Sequence, residues 1–259
     1  MSIFHNVGSE GGTAQRTGLY VLARYLELPF LWLSYRLLRG KWKRAGNIPV
    51  IRRIFAKLIV APVARHVDTG SPMPYREVLK HIDALEGAIA VGTCRCRITN
   101  NGCGHALETD IVVRTGEHAF SKAFPNVYRP ISKEQAKKIV LDCHDSGLFP
   151  MVFYHCPSTG DAEYAICNCC ECGCAICILN RELGDDIFPL KHGGWVAVTD
   201  KDKCTGHGAC VAICPFNARE VVGGNAVTRN CFGCGLCEDA CPENAIVMKD
   251  IGHGHNHPH

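Results

Sequence analysis

Four cysteines near the C-terminal end carry the most specific chemistry in the chain. Cys231, Cys234, Cys237 and Cys241 follow one another at C-x2-C-x2-C-x3-C, and Pro242 comes directly after. A cubane iron–sulfur cluster takes several thiolates converging from one short loop and a further one from elsewhere. This spacing supplies three from one loop and throws the fourth toward a second cluster. An earlier loop, Cys204-Thr-Gly-His207-Gly-Ala-Cys210-Val-Ala-Ile-Cys214-Pro215, matches it position for position, except that His207 stands where a cysteine would be. The chemistry predicted is binding of iron and sulfide and movement of single electrons.

Short strands must hold these loops. Trp195-Val-Ala-Val-Thr199 leads into the first, Val221 to Val227 reads as a hairpin, and Ala245-Ile-Val-Met248 follows the second. Such a duplicated unit of about 55 residues is too small to be stabilised by apolar burial alone. Metal–sulfur bonds would supply the missing folding energy. Gly206, Gly208, Gly233 and Gly235 flank ligand positions, where they allow positive φ and close approach of amides to sulfur.

Over residues 195–250 the two loops resemble the bacterial two-cluster ferredoxin family. The resemblance implies two 4Fe–4S clusters with crossed ligation. One would use Cys231, Cys234, Cys237 and Cys214; the other would use Cys204, Cys210 and Cys241, with His207 at the fourth corner. A neutral imidazole in place of a thiolate removes negative charge from the cluster and should raise its potential. Three readings stay open for that corner: His207 as iron ligand, a three-iron cluster with His207 unligated, or completion by a cysteine from the middle of the chain.

The middle of the chain holds a second constellation. Cys94, Cys96 and Cys103 form one group, and Cys167, Cys169, Cys170, Cys172 and Cys174 form another, with Cys177 just beyond. The Cys-x-Cys-Arg element and the Cys-Asn-Cys-Cys run resemble a poorly characterised set of cysteine-rich ferredoxin-type proteins of anaerobes, extending the resemblance to about residues 75–250. Eight thiols could hold one further iron–sulfur cluster with some to spare, or two. A structural zinc site is the alternative, although Cys-x-Cys and Cys-Cys are less usual for zinc than Cys-x2-Cys. Unligated thiols or a redox-active pair are the third reading. Arg95 and Arg97 suit a cluster of net negative charge, or are solvated. Cys143 and Cys156 read as buried small residues, and His105, His118, His144 and His155 as ordinary core or surface histidines.

The remaining pattern divides the chain into four: a basic amphipathic helical segment (1–71), a cysteine-rich α/β domain (72–192), the two-cluster unit (193–250) and a His-rich tail (251–259). The fold class predicted is α+β, with Gly193-Gly194 as a hinge. In the first segment eleven Lys and Arg residues lie between Arg16 and Arg65, with Glu27 as the only acid. Pro29 should interrupt a helix over Leu19–Leu38, and a second helix should run from about Val50 to Val60. In that second helix Ile51, Ile54, Phe55, Leu58 and Ile59 fall on one face. Such a face packs on its own domain or a partner, or lies in a membrane interface. In the middle domain Tyr75–Leu85 reads as a helix, Gly87–Gly92 and Phe149–Tyr154 as strands, and Ser132-Lys-Glu-Gln135 as a capping box.

The 18 cysteines sit too close in pairs for a disulfide scaffold, and the opening MSIFHNVGSEGG has no apolar signal core. Both predict a reducing cytoplasm, as in an anaerobe. No dinucleotide fingerprint, Walker loop, nucleophile elbow or H-E-x-x-H occurs, and no nucleic-acid-binding fold is visible. The function expected is relay of single electrons to or from a flavoprotein or a larger anaerobic oxidoreductase, with peripheral membrane contact as an added expectation. The rivals are a reductase whose middle cluster acts on substrate, and a redox sensor or cluster scaffold. The His-rich tail reads as a solvated segment, or as a loose nickel or zinc binder.

Overall fold

The computed structural model describes residues 13–67, 69–101, 103–154 and 163–252. His155, Cys156 and the His-rich tail from His253 lie outside them. The helices are α1 (Thr13–Val21), α2 (Glu27–Leu38), α3 (Lys43–Gly46), α4 (Pro49–Ile54), α5 (Ala61–His66), α6 (Tyr75–Ala84), α7 (Arg95–Thr99), α8 (Thr115–Ala123), α9 (Lys133–Asp145), α10 (Ala175–Leu183), α11 (Ala209–Ala212) and α12 (Leu236–Asp239). The strands are β1 (Ser71–Pro72), β2 (Ile89–Thr93), β3 (Glu108–Val113), β4 (Arg129–Pro130), β5 (Phe149–Tyr154), β6 (Glu163–Cys169), β7 (Trp195–Thr199), β8 (Arg219–Val222), β9 (Asn225–Thr228) and β10 (Ile246–Asp250).

Six strands form a sheet in the order β1-β5-β6-β3-β2-β4, and every pairing in it is antiparallel. The predicted alternation of helix and strand is thus realised without parallel crossovers. Side chains alternate across the pleat. Ile89, Val91, Ile111, Val113, Val152 and Ile166 pack with Val78, Ile82, Ala136 and Val140 of α6 and α9. Ser132 caps α9, with the reciprocal bonds between Ser132 and Gln135 that define a capping box.

The opposite face carries Ala90, Val112, Met151, Ala165 and Cys169, covered by Leu19, Ala23 and Phe120 from the N-terminal helices and α8. Pro29 does not break the first helix. A π-helical turn at Leu22–Leu26 precedes it, and a second at Phe55–Val60 precedes Pro62. Each lets the chain continue past a residue that cannot donate a backbone hydrogen bond. The second turn also rotates the expected apolar face: Phe55, Ala56 and Val60 are buried, whereas Ile54 and Leu58 are 52% and 71% exposed. Leu31, Tyr35, Leu38, Phe55 and Val60 pack on α10 through Ile178 and Leu179.

The C-terminal unit pairs β7 with β10 and β8 with β9. Gly193 is not a free hinge. A Cβ there would lie 1.6 Å from the Pro72 carbonyl oxygen, and its amide donates to Phe232 O at 3.1 Å. Phe216 packs edge-on against Phe149 at 5.2 Å, and Asp239 bonds both Arg76 (2.7 Å) and His144 (3.0 Å). The C-terminal unit is therefore seated directly on the cysteine-bearing sheet.

Candidate metal centres

Two loops, each running into a short helix, build the C-terminal site. Gly208 and Gly235, both in the left-handed region, turn the chain into α11 and α12, which carry Cys210 and Cys237. Cys214, the last thiol of the first loop, and Cys231 both act electrostatically on Cys234 and Cys237. Cys210 also faces Cys237. His207 Nε2 lies 3.9 Å from Cys241 Sγ. The Ala209 amide donates to His207 Nδ1 at 3.1 Å, so the neutral ring carries its proton on Nε2, the nitrogen facing the sulfur.

Iron–sulfur clusters fit this donor set. Backbone amides already point at the sulfurs: Ala218 N to Cys214 Sγ at 3.2 Å, Ala226 N to Cys204 Sγ at 3.3 Å and Ala245 N to Cys241 Sγ at 3.4 Å. Burial, with the neighbouring thiols adding to it, pushes Cys237 up to about 12 and Cys234 well above the usual thiol range, so a cation is what would let these groups ionise. Gly233, at φ +89°, leaves room where a Cβ would meet Trp195 O at 2.8 Å.

Sequence reasoning missed Arg219. It is buried beneath both loops, bonded to Thr199 Oγ1 at 2.7 Å and to Thr228 Oγ1, with Nη2 3.9 Å from Cys210 Sγ. Nothing in its local spacing marks it; β8 carries it there.

The middle cysteines separate into two sets. Cys94 follows β2, Cys96 lies in α7, Cys167 and Cys169 lie on β6, and Cys174 precedes α10. Cys174 Sγ is 3.6 Å from Cys169 Sγ and also meets the sulfurs of Cys177 and Cys96. Those sulfur contacts hold Cys174 well below the ordinary thiol range, while Cys96, Cys169 and Cys177 are pushed up. Cys177, set apart in the sequence reading, thus belongs with this group. Cys94, Cys96, Cys167, Cys169 and Cys174 line a cavity of about 370 Å³, whose other wall is Leu22, Leu26, Phe30 and Phe120.

Arg95 is not solvated. It bonds Glu27 at 2.9 Å and Tyr128 OH, lies 3.5 Å from Asp110, and stacks over Phe120 at 4.4 Å. Asp110 accepts from Tyr128 OH at 2.5 Å and from Cys167 Sγ at 3.2 Å. Burial opposes the Arg95 charge, but Glu27, Tyr128 and Asp110 outweigh it and hold its pKa well above the usual value. Burial raises Glu27 despite Arg95.

Cys103 and Cys172 lie outside that cavity, while Cys170, which lines its edge, groups with them. Cys103 Sγ is 3.5 Å from Cys170 Sγ, and His105 joins these three thiols. His105 is therefore not an ordinary surface histidine; the Cys103-Gly-His105 spacing was the signal available for it. Cys143 is buried, as read, and burial pushes it up to about 11. His118 is exposed, and His144 stacks on Tyr75 at 4.0 Å.

Comparison with known proteins places a family match in the C-terminal unit. The 4Fe-4S binding domain family matches residues 197–220 and 227–247. An uncharacterized ferredoxin of Methanocaldococcus jannaschii is 31% identical over 87 residues, 32% of this chain and 51% of that protein. Ferredoxin-1 of Nitratidesulfovibrio vulgaris is 50% identical over 34 residues, 13% of this chain and 55% of its own. The chain thus spans about half the length of these two relatives. A ferredoxin of Methanothermococcus thermolithotrophicus is 38% identical over 56 residues, 20% of this chain and 93% of its own. No solved structure matches the chain. With paired cysteine loops, amides directed at their sulfurs and a relative matched over nearly its whole length, this chain belongs to the 4Fe-4S ferredoxin family.

Proposed function

We propose that the protein relays single electrons between a redox partner and the thiol-lined cavity of the middle sheet. One observation carries this reading. Cys234 and Leu236 of the C-terminal unit share a continuous buried core with Cys169, Cys174 and Cys177. A 4Fe–4S cluster supplies reversible one-electron chemistry; the protein supplies geometry and electrostatics. Cys231, Cys234, Cys237 and Cys214 would hold one such cluster. Cys204, Cys210 and Cys241 would hold the other, a three-iron cluster, because His207 presents an N–H to sulfur rather than a lone pair to iron. Cys94, Cys96, Cys169 and Cys174 would hold a third, with Cys167 and Cys177 beside it. Arg219, buried next to Cys210, favours the added electron.

The N-terminal helices would dock this assembly on an anionic membrane surface. Among the described residues no helix is long and apolar enough to cross a membrane. Trp32, Trp42, Tyr25, Ile54 and Leu58 nonetheless stand exposed, and Arg36 stacks on Trp32 at 4.4 Å. Exposed aromatic, aliphatic and basic side chains of this kind suit the headgroup region.

A second reading has its own support. The apolar cavity beside Cys94 and Cys96 has room for a small substrate, which favours a reductase. Dithionite-reduced protein, assayed alone and then with a flavoprotein acceptor, separates the two. The relay reading expects oxidation of the reduced protein by the acceptor and no turnover without it. Catalytic turnover of a small substrate by the protein alone would overturn the relay in favour of the reductase.

A further inference from the structure

We propose that Cys103, His105, Cys170 and Cys172 bind a single zinc ion, separate from every iron–sulfur group in the chain. Their ligand atoms all lie within 4.8 Å of one another, and among the described residues no other such group is found. A tetrahedral ion with sulfur at about 2.3 Å and nitrogen at about 2.0 Å sets its ligand atoms roughly 3.5–3.8 Å apart. The Cys103–Cys170 separation of 3.5 Å meets that condition. A cubane spreads its thiolates over different irons and needs a wider frame. Three thiolates with one imidazole is a standard structural zinc set, and four protein ligands leave no open position.

The surroundings are built for such an ion. Arg97 is 1% exposed. Its Nη1 donates to Ala106 O and Thr109 Oγ1, both at 2.7 Å, and its Nη2 to Asn168 O at 2.6 Å. One buried cation thereby braces the segment just after His105 and the strand just before Cys170. It also compensates the net negative charge of three thiolates around a divalent ion. Tyr35 OH donates to Gly173 O at 2.7 Å, and Arg39 donates to Cys172 O at 3.0 Å, holding the second ligand loop. Gly173 must lack a side chain, since a Cβ there would lie 2.8 Å from Cys103 Sγ and 3.3 Å from Cys170 Sγ. Cys103, His105 and Cys172 are only half-buried, so the ion can enter from solvent. The ion would clamp the loop after α7 to the loop after β6, fixing the strand end from which Cys169 lines the cavity.

The test is metal analysis of the full chain purified without oxygen, with zinc K-edge absorption on the same sample. The expected result is about one zinc per chain, with three sulfur ligands at about 2.3 Å and one nitrogen at about 2.0 Å. His105→Ala and Cys172→Ser, each removing one of the four ligands, should each lose most of the zinc while keeping the iron count. His105→Cys, which can still close the site, should keep the zinc and shift its shell to four sulfurs. Zinc well below stoichiometry in the wild-type chain would overturn the proposal. So would zinc whose shell ignores His105→Cys, or a loss of iron in place of zinc in Cys172→Ser. The readout is zinc content and its ligand shell, so it stands or falls independently of the electron relay.

Discussion

The two sulfur-rich regions present their ligands in opposite ways. In the C-terminal unit each site draws three ligand positions from one loop, within a dozen residues. Local spacing is enough to bring them together, and the 4Fe-4S binding domain family matches both loops. In the middle region the thiols that meet come from both ends of a long stretch, as with Cys103 and Cys170, 67 residues apart. The pairing of β3 with β6, braced by Arg97, brings them together. The first region should depend on its metal to fold at all. The second should depend on the sheet to present its metal. The contrast also explains where the buried cations lie: Arg219 sits under loops that carry charge close together, whereas Arg97 ties distant backbone segments.

Substitutions test this contrast, beginning with the largest expected effect. Cys231→Ser should cost about four irons per chain and leave the C-terminal unit the first part to lose protection in hydrogen exchange, because metal bonds supply its folding energy. Loss of protection in the middle sheet first would contradict the division of labour. Arg97→Met should lower stability by about 3 kcal/mol, since Ala106 O, Thr109 Oγ1 and Asn168 O lose their donor. Denaturant melting of protein with its iron content verified would measure it; an unchanged midpoint would mean the brace is idle.

His207→Cys should add about one iron and lower one midpoint potential by roughly 100 mV, the direction expected when a thiolate enters the set. A redox titration identical to wild type would argue that this corner is closed by something else. Arg219→Met should lower the potential of the C-terminal clusters by on the order of 50 mV, the one-electron equivalent of about 1 kcal/mol. A change confined to stability would reduce Arg219 to packing. Asp239→Asn, at the seam between the two regions, should cost under about 1 kcal/mol, as partly exposed ion pairs do. A larger loss in thermal melting would show that the seam is cooperative with one of the regions.

These differences set what could be read from the chain. The cysteine loops, the β8–β9 hairpin, β5 and the cap of α9 were legible because their signals are local: ligand spacing, alternation, and Ser132 with Gln135. The strand β6 was not. Its sequence Glu-Tyr-Ala-Ile-Cys-Asn-Cys reads as ligands, and its place between β5 and β3 follows from long-range pairing. In sequence Arg95 and Arg97 read equally as partners of an anionic cluster or as solvated, since burial of a charge is decided by partners as distant as Glu27 and Asn168. His105 was lost among scattered histidines for the same reason. The amphipathic face of the second helix was misplaced because a π-helical turn, invisible to a constant 100° period, shifts its register at Phe55.

The central claim is that paired cysteine loops hold clusters that pass electrons to a further cluster in the middle sheet. Iron and sulfide content of anaerobically purified protein, followed by EPR during stepwise reduction, addresses it most directly. The account predicts about eleven irons per chain and three signals that appear and vanish reversibly. A preparation holding no more than about seven irons would remove the middle cluster, and one that is colourless, or that binds iron without reversible reduction, would contradict the whole.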